Sequence, residues 1–203
     1  MEYCIESEYR QEYICGIDEV GRGCLAGPVV AAAVIMPKEY LEEIDDSKKL
    51  SKKKREKMDT YIRENAIAFG IAEIDVETID KINIKQASRL AMKKAVEEMV
   101  RKYEIEPEIL LIDSENIETD YEQVSIIRGD SLSYNIACAS ILAKVYRDSL
   151  FVEYEERYPG YSFITNMGYG TAAHIDGIKK NGVLPIHRKS FMGKILKRIK
   201  DES

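Results

Sequence analysis

Tyr13-Ile14-Cys15-Gly16-Ile17-Asp18-Glu19-Val20-Gly21-Arg22-Gly23 is a short β-like run that ends on two adjacent carboxylates and turns at once through a glycine-rich, arginine-bearing segment. The carboxylates could hold a hard divalent cation, because Mg²⁺ prefers oxygen ligands and usually takes one or two carboxylates plus substrate phosphates. The glycines leave room for another backbone to approach, and their N–H groups can point at a phosphate or hydroxyl. Metal ligands beside a phosphate-reading loop point to phosphoryl chemistry on a polymer.

The next apolar run, Pro28 to Met36, reads as a second strand buried on at least one face. The intervening segment, Gly21 to Gly27, is short enough for an antiparallel pair. Asp45 to Leu50 reads as a polar loop, and Ser51 as the N-cap of a helix to about Asn65. Ala66 to Ile74 resembles a third strand. Asn83 to Tyr103 is an amphipathic helix, with Ile84, Ala87, Ala91, Ala95, Met99 and Tyr103 at three- and four-residue steps. Glu108 to Asp113 forms a fourth strand ending in a carboxylate, and Gln123 to Arg128 a short fifth. A long helix is expected from Ser131 to about Tyr158, buried along Ile136 to Val145. A loop with Gly168-Tyr169-Gly170, a helix from Thr171, the segment Pro185 to Phe191 and a basic helix complete the chain. The expected order is β-β-β-α-β-β-α-α, an α/β fold with a mixed sheet flanked by helices.

The chain has 203 residues and a net charge of −6, which argues against a protein that coats nucleic acid by bulk charge. Local basic patches remain compatible with that balance. The four cysteines, Cys4, Cys15, Cys24 and Cys138, form no C-x-x-C pair and no zinc-like spacing with the two histidines, so they read as reduced thiols. The N-terminus lacks a signal-peptide core, and the apolar run Val29 to Met36 is too short to span a bilayer. A soluble, cytoplasmic chain is expected, without a membrane partner and by default a monomer.

Three carboxylate positions share one logic. Asp18 and Glu19 end the first strand, Asp113 ends the fourth, and Asp130 follows the fifth. If the first and fourth strands are parallel neighbours, these ends meet at one edge of the sheet. Such a cluster repels itself without cations. Two Mg²⁺ ions about 4 Å apart are the usual remedy and serve in-line phosphodiester displacement. Taken singly, Asp130 reads equally as a helix cap, and Asp113 as a cap or an exposed residue. The joint pattern, with Gly-Arg-Gly following, favours a metal site.

The chain also resembles ribonuclease HII, the type 2 ribonuclease H family. The matching segments run in order along almost the whole chain: GIDEVGRGCLAGPVVAAAVIMP (16–37), DSKKLS (46–51), NIKQASRLAMKKAV (83–96), GDSLSYNIACASILAKVYRD (129–148), YPGYSF (158–163), GYGTAAHI (168–175) and PIHRKSF (185–191). The resemblance implies a ribonuclease H-like five-stranded mixed sheet flanked by helices, with a C-terminal helical extension. It suggests a catalytic domain over residues 1–158 and the extension over 159–203. It places the catalytic, metal-holding carboxylates at Asp18, Glu19, Asp113 and Asp130, with Mg²⁺ or Mn²⁺ as cofactor. The implied substrates are RNA–DNA hybrids and DNA containing single ribonucleotides, cut on the 5′ side to leave 5′-phosphate and 3′-hydroxyl ends. Gly21, Arg22 and Gly23 would sense the ribose 2′-hydroxyl, the group that separates RNA from DNA. Tyr169 would stack on a sugar or base there. Lys48 and Arg188 are candidate phosphate contacts, while His174 reads as structural and His187 as either.

The chain departs from the family at three places. Cys24 stands where proline is common, Asn166-Met167 replace a His-Lys pair, and Asp113 is followed by Ser114-Glu115 rather than a Gly-Asn type turn. Glu115 brings extra negative charge near the metal-holding positions. Three other readings compete. A resolvase- or integrase-like nuclease leaves Gly-Arg-Gly and Tyr169 without a role. A hybrid-binding module would bind without turnover. An unrelated protein with a structural acidic cluster leaves seven ordered matches unexplained.

Overall fold

The computed structural model describes residues 5–38 and 50–201. Its centre is a five-stranded sheet in the order β3-β2-β1-β4-β5. β1 (Ile14–Val20) pairs antiparallel with β2 (Val29–Ile35) and parallel with β4 (Ile109–Asp113). β3 (Ala68–Ile74) lies antiparallel beside β2, and β5 (Gln123–Ile126) parallel beside β4. The mixed sheet expected from the sequence is therefore present, with β1 in the middle.

The two faces are read directly from strand alternation. On β2, Val29, Ala31, Ala33 and Ile35 join Ala87, Ala91, Met92, Ala95 and Met99 of α3 (Ile84–Tyr103) in one core. Val30, Ala32 and Val34 face the other way, onto Met58 and Ile62 of α1 (Lys52–Asn65) and onto Ala137, Ile141 and Leu142 of α5 (Tyr134–Arg157). A strand apolar throughout is what a sheet covered on both sides requires. Gly16 lets α5 approach β1 closely: a Cβ there would lie 2.1 Å from the Asn135 carbonyl carbon.

Helix boundaries follow local chemistry. The Ser51 hydroxyl accepts from Lys54 N, and the Asn83 side chain accepts from Lys85 N and Gln86 N, as N-caps do. Helix α1 is the helix expected after Ser51 and stands between β2 and β3, a place the summary order β-β-β-α-β-β-α-α leaves out. Two further expectations change. A further helix, α2 (Val76–Ile82), precedes α3, capped by Asp75, which accepts from Thr78 N at 2.7 Å. The long helix expected from Ser131 is two, α4 (Gly129–Leu132) and α5, divided where Ser133 is extended and caps Ile136 N. Buried Glu6 fixes that break, because its Oε1 accepts from Ser133 Oγ at 2.6 Å and Asn135 N at 2.8 Å.

The remaining helices are α6 (Phe163–Asn166), α7 (Ala172–Asn181) and α8 (Lys189–Asp201). Tyr161, Phe163, Ile178 and Met192 from this part of the chain share a core with Phe151 of α5 and with Leu25 and Ala26, just after the Gly-Arg-Gly turn. The C-terminal helices are thereby anchored beside the end of β1. Among the described residues no helix is long and apolar enough to cross a membrane.

Candidate active site

The β1–β4 register pairs Ile17 with Ile112, which brings Asp18 and Asp113 to the same end of adjacent parallel strands. Asp113 Oδ1 accepts from Gly129 N at 2.7 Å, and this bond ties the first residue of α4 to the end of β4. Asp130, next along α4, is buried. Three segments distant in sequence thus converge on one edge of the sheet.

Strand alternation gives Asp18 and Glu19 different surroundings. Asp18 faces α5, is 5% exposed, and accepts from Ser140 and from the Glu19 backbone N–H at 2.7 Å. Burial foremost, then the nearby Glu19 and Asp113 carboxylates, push its pKa well above the usual carboxylate range. Glu19 faces the α3 side. Burial raises its pKa, and the Arg22 guanidinium, whose Nη1 lies 3.3 Å from Glu19 Oε1, opposes that rise. Glu19 Oε2 is buried with no hydrogen-bond partner.

Glu115 is also buried, in a network rather than as a loose charge. Its Oε1 lies 3.4 Å from Arg22 Nη2, and its Oε2 lies 3.0 Å from Arg89 Nη2. The extra negative charge that the sequence places near the site is therefore matched by two guanidinium groups.

The Gly21–Gly23 turn is held from beneath by two fully buried arginines. Arg147 of α5 donates to Pro28 O, Met167 O and Ala26 O. Gly21, at φ 96°, passes so close to Arg147 that a Cβ would lie 2.2 Å from its Nε. Arg188 donates to Gly27 O from both Nε and Nη2 and to Arg22 O from Nη1. This corrects the reading of Arg188 as a substrate contact: its fork is spent on backbone carbonyls, and it shapes the turn from within. On the same helix as Arg147, Lys144 and Asp148 pair at 2.8 Å. Lys48 lies outside the described residues.

Tyr169 stands beside the turn. Its ring edge lies within 4.0 Å of where a Cβ on Gly23 would be, and the residue is 43% exposed. Leu25 N donates to Gly168 O at 2.8 Å, stitching the Gly168-Tyr169-Gly170 segment to the end of the turn. A histidine relay braces it from behind. Leu184 N donates to His187 Nδ1, so the neutral His187 carries its proton on Nε2 and donates to His174 Nε2 at 3.0 Å. His174 then carries its proton on Nδ1 and donates to Tyr169 O at 2.9 Å. Both rings are buried, and burial first, then His174, lowers the His187 pKa to about 4.

The donors at this edge are all carboxylate oxygens, the chemistry of a hard divalent cation. A buried unpartnered oxygen on Glu19 and a like-charge cluster around Asp18 fit such a cation. As the side chains stand, no three His, Cys, Asp or Glu among the described residues are drawn close enough to hold a metal ion.

Solved structures with the same architecture define the class. Ribonuclease H2 from Pyrococcus horikoshii OT3 superposes with a TM-score of 0.76 at 20% identity, over 92% of this chain and 98% of that one. Bst-RNase HIII, solved in complex with Mn²⁺, superposes with a TM-score of 0.67 at 20% identity, over 94% of this chain and 71% of that one. The fold is therefore that of the type 2 ribonucleases H. At the level of sequence, the Ribonuclease HII family model matches residues 15–194. Ribonuclease HII of Alkaliphilus oremlandii (strain OhILAs) is 50% identical over 188 residues, 91% of this chain and 93% of the relative. Ribonuclease HII of Enterococcus faecalis (strain ATCC 700802 / V583) is 51% identical over 189 residues, 92% of this chain and 72% of the relative. The chain belongs to the ribonuclease HII family and is a hydrolytic ribonuclease.

Proposed function

We propose that this enzyme hydrolyses the RNA strand of RNA–DNA hybrids and nicks DNA on the 5′ side of single embedded ribonucleotides, leaving 5′-phosphate and 3′-hydroxyl ends. The observation that carries this reading is the adjacency of a buried carboxylate cluster to a glycine turn flanked by an exposed tyrosine. Asp18, Glu19, Asp113 and Asp130 are the groups proposed to hold Mg²⁺ or Mn²⁺. Two cations bound there would activate the attacking water and stabilise the leaving 3′ oxygen.

The remaining work falls to the chain itself. Gly23 is the exposed glycine of the turn, and a ribose 2′-OH can both donate to and accept from main-chain groups there. Tyr169 offers a ring face for stacking on the neighbouring sugar or base, of the kind that contributes about 1–3 kcal/mol per base. Arg147 and Arg188 hold the turn so that its distance from Asp18 is fixed. We place catalysis in residues 1–158 and regard 159–203 as the extension that supplies Tyr169 and its brace. The enzyme is proposed to act as a cytoplasmic monomer.

The test uses two duplexes, all-DNA and with one embedded ribonucleotide, each with Mg²⁺, Mn²⁺ or chelator. Metal-dependent nicking 5′ to the ribonucleotide alone is the expected result. Equal cutting of both duplexes would favour a general nuclease, and binding without cutting would favour a hybrid-binding module.

A further inference from the structure

We propose that Glu115 is a positioning residue for the cation site: it shares the Arg22 guanidinium with Glu19 and so keeps a Glu19 oxygen available to a divalent cation. This rests on the functional reading above. Arg22 lies between two carboxylates, with Nη1 3.3 Å from Glu19 Oε1 and Nη2 3.4 Å from Glu115 Oε1. The near equality of these distances means that neither carboxylate owns the guanidinium. Glu19 Oε2 is left buried and unpartnered. A planar fork engaging one carboxylate alone would instead take both of its oxygens, the bidentate geometry that Arg and carboxylate prefer.

Arg89 sets the balance from the far side. It approaches Glu115 Oε2 through both Nε, at 3.1 Å, and Nη2, at 3.0 Å. Arg89 projects from α3, a helix packed across the sheet, so its guanidinium ties Glu115 to that helix. Glu115 therefore holds Arg22 at a set distance from Glu19. Removing its charge frees Arg22 to close on Glu19, where it competes with the cation. Removing Arg89 leaves Glu115 with Arg22 alone, strengthens its pull on that guanidinium, and relieves Glu19.

The experiment titrates Mn²⁺ into the full chain and reads free Mn²⁺ by electron paramagnetic resonance, with circular dichroism confirming the fold. Glu115→Gln, which keeps the shape, is expected to weaken Mn²⁺ binding about three- to tenfold, in the lower part of the range for coupled neighbours. Arg89→Met is expected to leave binding equal or tighter. In an Arg22→Met background, Glu115→Gln is expected to have no further effect. Two results would overturn the proposal: unchanged binding in Glu115→Gln, or an undiminished loss in the Arg22→Met background, which would mean that Glu115 acts directly through its own charge. Absence of Mn²⁺ binding by the wild type would instead refute the cation site itself, and the proposal with it.

Discussion

Replacing Arg188 by methionine separates the two roles that a buried and an exposed arginine can play. The guanidinium makes three hydrogen bonds, two to Gly27 O at 3.0 and 2.9 Å and one to Arg22 O at 2.9 Å. Burial, its largest influence, lowers its pKa to about 10, so it remains charged at neutral pH. Methionine keeps much of the volume against Phe191 but strands two carbonyls. Each stranded buried acceptor costs about 1–3 kcal/mol, so the loss should be about 2–6 kcal/mol. At about 2–4 °C per kcal/mol for a chain of this size, Tm should fall by roughly 4–24 °C. Thermal unfolding measures this directly. A phosphate ligand would give a different signature: little change in Tm, but a salt slope of duplex binding shallower by about 0.9. An unchanged Tm with a shallower slope would refute the role assigned to Arg188.

Two further predictions concern charge. Asp18→Asn should stabilise the protein in chelator, because the folded state raises the Asp18 pKa from its ordinary 3.8 and so disfavours ionisation. Between 3.8 and that raised value the folded wild type holds the extra proton, so its stability falls relative to the variant as pH rises through the window. Above it the variant should be more stable by about 0.5–2 kcal/mol, a common gain when a strained functional group is relieved. Equal Tm values at neutral pH would contradict this. For His187 the sign reverses: its folded pKa, lowered from 6.5 to about 4, makes the folded state bind fewer protons, so its contribution to stability is lost as pH falls from about 6.5 to about 4. His187→Gln should remove that part of the acid sensitivity, as read from Tm across the same range.

The carboxylates are legible as candidates because each closes an apolar run, and apolar runs specify strands whose ends a parallel pairing brings together. The glycine turn is legible because few other residues tolerate that backbone. The arginines are not. Arg147 and Arg188 need several acceptors, and a charge pattern cannot distinguish carbonyls supplied by the fold from phosphates supplied by a substrate. Glu115 is misleading for a related reason: its partners Arg22 and Arg89 are remote in sequence, so it reads as unbalanced charge. Helix α2 is only two turns long and owes its start to Asp75. The break at Ser133 depends on Glu6, more than a hundred residues away, which local periodicity does not register.

The most direct test of the central claim is a single-turnover assay of Asp18→Asn and Asp113→Asn on a duplex with one embedded ribonucleotide, in saturating Mg²⁺ or Mn²⁺. The account predicts that both variants fold, bind the duplex and fail to cut it. Cleavage at the wild-type rate by either folded variant would contradict it.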